Sequence, residues 1–81
     1  MKIYTTPWCP YCVRAKRLLD KKGVSYQEID VAGDDEARIR LAEQTGRRTV
    51  PQIFVGEHHV GGSDDLHELE AQGKLDPLLA G

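Results

Sequence analysis

The only two cysteines of this chain are Cys9 and Cys12, three positions apart, with Pro10 and Tyr11 between them. Proline is favoured at the first position of a helix, because the N–H group that it lacks would have no partner there. A helix that begins at Pro10 places both thiols on one face of its first turn, where they can form a disulfide. The helix N-terminus also favours a thiolate at Cys9. The spacing therefore predicts a redox pair, with Cys9 as the nucleophile and Cys12 as the resolving thiol.

Length and composition limit both the fold and the class of function. A chain of 81 residues suits a modest core, and we expect residues 1–81 to form one domain. Charged residues of both signs make up 30% of the chain and the formal net charge is −2, so no footprint for nucleic acid or a membrane surface is expected. No apolar run approaches the roughly 20 residues that span a bilayer, and we expect no signal peptide. In a cytoplasmic protein, which these features favour, such a cysteine pair is more often catalytic or metal-binding than structural.

The first third of the chain predicts a strand, a helix and a second strand. Residues 2–5 are typical of a short strand that ends in a turn before Cys9. Helix formers occupy residues 10–22, and Gly23 is a good helix stop. Residues 24–31 favour a strand whose apolar alternation slips in phase, which indicates burial on both faces or an irregularity. This order predicts a right-handed parallel β-α-β unit.

The rest of the chain predicts a helix, a β-hairpin and a further helix. Acidic residues at positions 34–36 suit a helix start, and Gly46 suits its end. Residues 52–55 and 58–60 favour two strands of a hairpin, and a helix with Leu66 and Leu69 buried then stops near Gly73, before a last short helical turn. The architecture is α/β, in the order β-α-β-α-β-β-α, with a mixed sheet of about four strands flanked by helices. A strand, two cysteines at this spacing and then a helix is the thioredoxin-like arrangement.

Three separated segments carry a resemblance to one family. They are Cys9-Pro10-Tyr11-Cys12, Thr49-Val50-Pro51 and Gly61-Gly62-Ser63-Asp64-Asp65-Leu66. In this order and with these intervals they resemble the dithiol glutaredoxins, especially bacterial ones of about this length, and the likeness covers nearly the whole chain. The resemblance implies a thioredoxin fold, a cis peptide bond before Pro51, and glutathione as the reductant. It also implies an enzyme of cell redox homeostasis that reduces protein disulfides and glutathione mixed disulfides.

The resemblance also implies a glutathione site. Its residues would be Tyr11, Thr49, Val50, Pro51, Gly62, Ser63, Asp64 and Asp65. The helix start at residues 63–65 offers backbone N–H groups to the γ-glutamyl carboxylate, and Asp64 or Asp65 would take the ammonium. For the glycyl carboxylate, the family often uses a lysine where Thr6 stands here, so Arg38 or Arg48 is expected to compensate.

A zinc site is the main structural alternative for the cysteine pair. Structural zinc usually has four ligands, and the remaining candidates, His58, His59 and His67, show no typical pairing. We therefore expect no metal. Adjacent histidines on a strand point to opposite faces, which favours ordinary hairpin residues. Trp8 is expected either to form an aromatic wall beside the nucleophile or to pack on the sheet.

Two rival functions remain open. A glutaredoxin-like electron donor reduced by a thioredoxin reductase would carry the same cysteines, although residues 61–65 resemble a glutathione site. An iron–sulfur carrier would share a cluster between two chains through Cys9 and bound glutathione, and both Pro10 and Cys12 count against it. We therefore expect a monomeric enzyme whose partners are glutathione and disulfide-containing or glutathionylated proteins, without nucleic acid or membrane partners.

Overall fold

The computed structural model of this chain describes residues 1–80. The described residues contain four strands, β1 Lys2–Thr5, β2 Gln27–Asp30, β3 Gln52–Val55 and β4 His58–Gly61. Within the same range lie four helices, α1 Pro10–Lys21, α2 Asp35–Thr45, α3 Ser63–Ala71 and α4 Leu75–Ala80. Their order confirms the predicted β-α-β-α-β-β-α, and α4 lies where the last helical turn was expected. None of the helices in residues 1–80 is long and apolar enough to cross a membrane.

The four described strands form a mixed sheet in the order β2-β1-β3-β4. β1 pairs in parallel with β2 and antiparallel with β3, and β4 pairs antiparallel with β3. Because α1 lies between β1 and its parallel neighbour in the chain, the predicted parallel β-α-β connection is confirmed. The predicted hairpin is confirmed as well, with an irregularity in its register between Ile53 and Phe54.

The second strand is shorter than the sequence predicts. The apolar pattern favours residues 24–31, whereas β2 covers Gln27–Asp30 and most of its side chains are exposed. β2 is an edge strand with a hydrogen-bonded neighbour on one side only, and Ile29 is half-buried while its other three residues are exposed. Tyr26 packs against the core just before the strand, and Val31 is buried just after it. The interpretation of a long strand buried on both faces is therefore wrong, because Tyr26 and Val31 flank β2 and only Ile29 of the apolar residues lies within it.

The core brings residues from both ends of the chain together. Its fully buried members are Ile3, Ala15, Leu19, Ile53, Leu66 and Leu75. Around this core, Lys22 at the end of α1 makes ion pairs with Glu70 of α3 at 2.8 Å and with Asp76 of α4 at 2.7 Å. The ends of three helices are thus joined on one side of the molecule.

Both predicted helix starts in the first half of the chain are confirmed. Cys9 is the N-cap of α1, and Pro10 is its first residue. Asp34 is the N-cap of α2, and its carboxylate accepts a hydrogen bond from the Ala37 N–H at 3.0 Å. The end of β1 therefore delivers the chain through Thr6 to a cysteine at the open N-terminus of α1.

Candidate active site

The two cysteines have unequal surroundings. Cys9 is partly exposed, and Cys12, one turn into α1, is fully buried. Burial raises the pKa of the Cys12 thiol to about 11, and a backbone hydrogen bond at Thr6 acts in the opposite direction. A substrate can therefore reach Cys9 from solvent, whereas Cys12 is shielded behind it.

The loop before β3 lies against Cys9. The Cys9 thiol donates a hydrogen bond to the Val50 carbonyl at a Sγ–O distance of 3.5 Å, across 41 positions of sequence. The peptide bond between Val50 and Pro51 is cis, as the resemblance implied. On the other side, the Cys9 N–H donates to the Thr6 carbonyl at 3.4 Å. Cys9 is thus bounded by the end of β1 and by the loop that leads into β3.

A groove of about 200 Å³ brings together every residue that the resemblance placed at glutathione. It is lined by Tyr11, Arg47, Thr49, Val50, Pro51, Gly62, Ser63, Asp64 and Asp65. These residues come from the first turn of α1, the loop before β3 and the start of α3. The groove adjoins the nucleophile through Val50, whose carbonyl faces Cys9.

The loop before β3 and the start of α3 together give the groove groups of both charges. Asp65 Oδ2 makes an ion pair with Arg47 Nη1 at 2.6 Å and accepts a hydrogen bond from the Gly62 N–H at 2.9 Å. The Arg47 guanidinium, followed by the Gly62 N–H, holds the pKa of the Asp65 carboxyl below its usual value. Gly61 has a φ of +115°, and a Cβ there would collide with the Asp65 carboxylate, so glycine is required. Asp64 is exposed beside this cluster.

Gln52 supports the groove and was missed by the sequence analysis. It is fully buried at the start of β3, and its Nε2 donates to the Thr49 carbonyl at 2.9 Å. Its Oε1 lies 2.7 Å from His59 Nε2, so the His59 ring must carry a proton at that nitrogen. A polar side chain at the start of an apolar strand was the available signal. His58 is exposed, as expected for neighbouring strand residues that face opposite ways.

The two arginines expected at the glycyl carboxylate line a second cleft, and their part in binding glutathione stays a prediction. A wider cleft of about 750 Å³ runs along α2, and Arg38 and Arg48 line it together with Ile39. This cleft contains neither cysteine, so its volume does not make it the reactive site. Arg47 is the arginine that lines the groove beside Cys9.

Known proteins resemble this chain over nearly its whole length. A family model described as Glutaredoxin matches residues 1–60. The chain is 63% identical to a glutaredoxin from Pseudomonas aeruginosa over 78 aligned residues. The alignment covers 96% of this chain and 93% of the relative. The chain belongs to the glutaredoxin family.

A further relative and a solved structure agree with this membership. Glutaredoxin 3 of Escherichia coli K12 is 53% identical over 79 residues, with 98% of this chain and 95% of the relative covered. The crystal structure of a buckwheat glutaredoxin–glutathione complex superposes with a TM-score of 0.93 at 38% identity, and covers 98% of this chain and 74% of that one. The predicted family and thioredoxin-like fold are confirmed, and membership makes this chain a thiol-disulfide oxidoreductase.

The surface around the glutaredoxin cysteines is apolar and open. Trp8 is 80% exposed and Tyr11 is 52% exposed, on either side of Cys9 and Pro10 in sequence. Trp8 therefore does not pack on the sheet, and that alternative is wrong. In the described part of the chain, residues 1–80, no group of three or more His, Cys, Asp or Glu side chains is arranged to hold a metal ion.

Proposed function

We propose that this chain is a glutathione-dependent oxidoreductase that reduces glutathione mixed disulfides through Cys9, and protein disulfides through Cys9 and Cys12. One observation carries the proposal. The partly exposed Cys9 thiol lies 3.5 Å from the carbonyl of Val50, which lines a groove of mixed charge. A reactive sulfur beside such a groove suits a small charged thiol as the second substrate.

The chemistry of glutathione matches the groups that line the groove. Glutathione is a small peptide with two carboxylates and one ammonium, so its site needs charges of both signs. The free N–H groups at the start of α3 suit the γ-glutamyl carboxylate, and Asp64 or Asp65 supplies negative charge for the ammonium. The Val50 backbone suits the central part of the tripeptide, which can pair with it as with a strand edge. Arg47, which lines the same groove and pairs with Asp65, adds positive charge at the γ-glutamyl end.

Reduction of a glutathione mixed disulfide needs only Cys9. Its thiolate attacks the glutathione sulfur. The substrate leaves as a thiol, and Cys9 becomes glutathionylated. A second glutathione attacks this bond, releases oxidised glutathione and restores the Cys9 thiolate.

Reduction of a protein disulfide also needs Cys12. Cys9 attacks one substrate sulfur and forms a mixed disulfide, and Cys12 then attacks Cys9 and releases the substrate. The pair is left as a disulfide, which two glutathione molecules reduce. Glutaredoxin potentials of roughly −200 to −230 mV lie near that of the glutathione pool, so the direction of net flux follows the glutathione ratio.

The test compares wild type, Cys9→Ser and Cys12→Ser in the reduction of a small glutathione mixed disulfide. Glutathione, glutathione reductase and NADPH are supplied, and NADPH oxidation is followed. We expect wild type and Cys12→Ser to be active and Cys9→Ser to fall to the background rate, because the first reaction needs a single thiolate.

Inactivity of all three proteins would contradict the proposal. If a thioredoxin reductase then reduced the disulfide form of the wild type, the chain would be an electron donor of the rival kind. Activity in Cys9→Ser but not in Cys12→Ser would reverse the roles of the two thiols.

A further inference from the structure

Lys16 lies on the same face of α1 as Cys12, one turn further along the helix. Its Nζ lies 2.9 Å from Glu28 Oε2 on the edge strand β2. The same oxygen accepts a hydrogen bond at 2.7 Å from the Thr5 hydroxyl, and Thr5 is buried at the end of β1. Lys16 of α1, Thr5 of β1 and Glu28 of β2 thus form a hydrogen-bonded cluster.

We propose that Lys16 is a positioning residue for the second thiol: held by Glu28 and Thr5, its ammonium stabilises the thiolate that Cys12 must become before it releases a protein substrate. The proposal rests on the role of Cys12 as the resolving thiol in the proposed function.

The Lys16 ammonium would act in the step in which Cys12 attacks Cys9. The Cys12 thiol gives its proton to water, and its sulfur forms a bond to Cys9 Sγ. The bond between Cys9 and the substrate sulfur breaks, and the substrate thiolate leaves and takes a proton from water. The substrate sulfur is reduced and Cys12 is oxidised, so the step needs no further oxidant or reductant.

The buried position of Cys12 makes its thiolate costly. With its pKa raised to about 11 by burial, about one Cys12 in ten thousand is ionised at pH 7. Water cannot stabilise a fully buried thiolate, so a fixed positive charge nearby has a larger effect than it would at the surface. Cys12 therefore gains more than an exposed thiol from a nearby cation.

The charged and titratable groups around Cys12 give Lys16 a distinct role. Burial raises the pKa of Cys12 most and Cys9 raises it further, whereas the Thr6 backbone lowers it and the Lys16 charge lowers it by a smaller amount. Glu28 raises the pKa of Lys16, with Tyr26 acting in the same direction, so the ammonium stays charged at neutral pH.

Glu28, which binds the Lys16 ammonium, is itself held in place by other contacts. Thr5, followed by Lys16, holds the pKa of Glu28 below its usual value, so this carboxylate stays ionised at neutral pH. An exposed ion pair alone would hold a lysine weakly. The buried Thr5 hydroxyl fixes the orientation of the Glu28 carboxylate, and the carboxylate in turn holds the ammonium between α1 and β2.

The test separates the second chemical step from the first. Reduced protein is mixed with a disulfide-bonded peptide in a single turnover, and release of the second peptide thiol is followed in wild type, Lys16→Gln and Lys16→Arg. Loss of the ammonium raises the pKa of Cys12 and leaves less thiolate, so we expect Lys16→Gln to release the thiol more slowly than wild type. The slowing should be about threefold for each tenfold loss of thiolate, because the remaining thiolate is more nucleophilic. Lys16→Arg keeps the charge and should stay close to wild type.

A matched control removes the same charge elsewhere on the helix. Lys21 is exposed in the last turn of α1, so Lys21→Gln should release the thiol at the wild-type rate. Equal slowing in Lys21→Gln and Lys16→Gln would overturn the proposal, because net charge would then explain the result.

A second measurement responds to charge and not to packing. Cys12 is titrated by its thiolate absorbance in a Cys9→Ser background, with and without Lys16→Gln. We expect the titration midpoint to rise when Lys16 is replaced. An unchanged midpoint overturns the proposal.

The two proposals fail in different ways. If wild type and Cys12→Ser release the second peptide thiol equally fast, Cys12 is not the resolving thiol and both proposals fall. If Cys12 is required but Lys16→Gln changes neither the release rate nor the midpoint, only the role of Lys16 is lost.

Discussion

Asp65 serves both the fold and the groove. One of its oxygens accepts a hydrogen bond from the Gly62 N–H at the start of α3. The same oxygen forms an ion pair with Arg47 in the loop before β3. These contacts lower the pKa of Asp65 from its ordinary value of 3.8. A carboxyl whose pKa is lower in the folded state stabilises the fold above its unfolded pKa, and this contribution is lost as the pH falls through the folded pKa. Asp65 should therefore stabilise the protein at neutral pH and not in strong acid.

We predict that Asp65→Asn lowers the free energy of unfolding at pH 7 by about 1 kcal/mol, because the partly exposed ion pair and the charged helix cap are lost. Urea denaturation at pH 7 and in acid measures the difference from wild type. The difference should shrink as the pH falls through the folded pKa of Asp65, where the wild-type carboxyl is also neutral. Asp64→Asn, at the exposed neighbour, is the control and should change stability less. A difference that is the same at every pH would contradict the role of the charge.

At the scale of elements, helix starts follow local chemistry whereas strand length follows the pairing of the strands. α2 begins where Asp34 caps it, as the acidic residues predict. β2 pairs only with β1, which itself has four residues, and the apolar pattern around Tyr26 and Val31 does not reveal this limit. Local signals are therefore most reliable where one side chain satisfies a nearby backbone group.

We predict that Asp34→Ala lowers the free energy of unfolding by about 1 kcal/mol, since the Ala37 N–H loses its acceptor. Asp34→Ser, which can still cap the helix, should retain most of the stability. Both variants should reduce the mixed disulfide at the wild-type rate, because Asp34 does not line the groove. Urea denaturation and the coupled assay check the two parts. Equal stability of Asp34→Ala and wild type would show that the cap contributes nothing.

At the scale of the whole molecule, the last helix completes a core that the first strand begins. Leu75 of α4 and Ile3 of β1 are both fully buried in the same cluster. We propose that residues 1–81 fold as one domain, because these distant segments cover each other's apolar surface. Unfolding should then be a single cooperative transition.

We predict that Leu75→Ala lowers the free energy of unfolding by about 2–5 kcal/mol, the usual cost of a cavity at a fully buried leucine. Leu78→Ala, at a partly buried position of the same helix, should cost less. Urea denaturation followed by circular dichroism and by loss of activity measures both variants. Separate transitions for the two signals, or a cost for Leu75→Ala no larger than that for Leu78→Ala, would contradict the role of α4 in the core.

Much of the reactive centre is determined by the sequence alone. The spacing of Cys9 and Cys12, with Pro10 between them, is enough to predict a thiol at a helix N-terminus. Eight of the nine residues that line the groove could be named from three short segments through their resemblance to the glutaredoxins, whereas Arg47 lies outside those segments. The helix start at Cys9 depends on neighbours in the chain, so the local pattern contains that information.

Only the tertiary structure decided which distant side chains meet. The pairing of Arg47 with Asp65 and the anchoring of Lys16 by Glu28 join residues 18 and 12 positions apart. Neither contact follows from periodicity, since each depends on how helices and strands pack. The chain by itself therefore determined where the reactive thiol lies, and the packing of its elements decided which charges surround that thiol and the groove beside it.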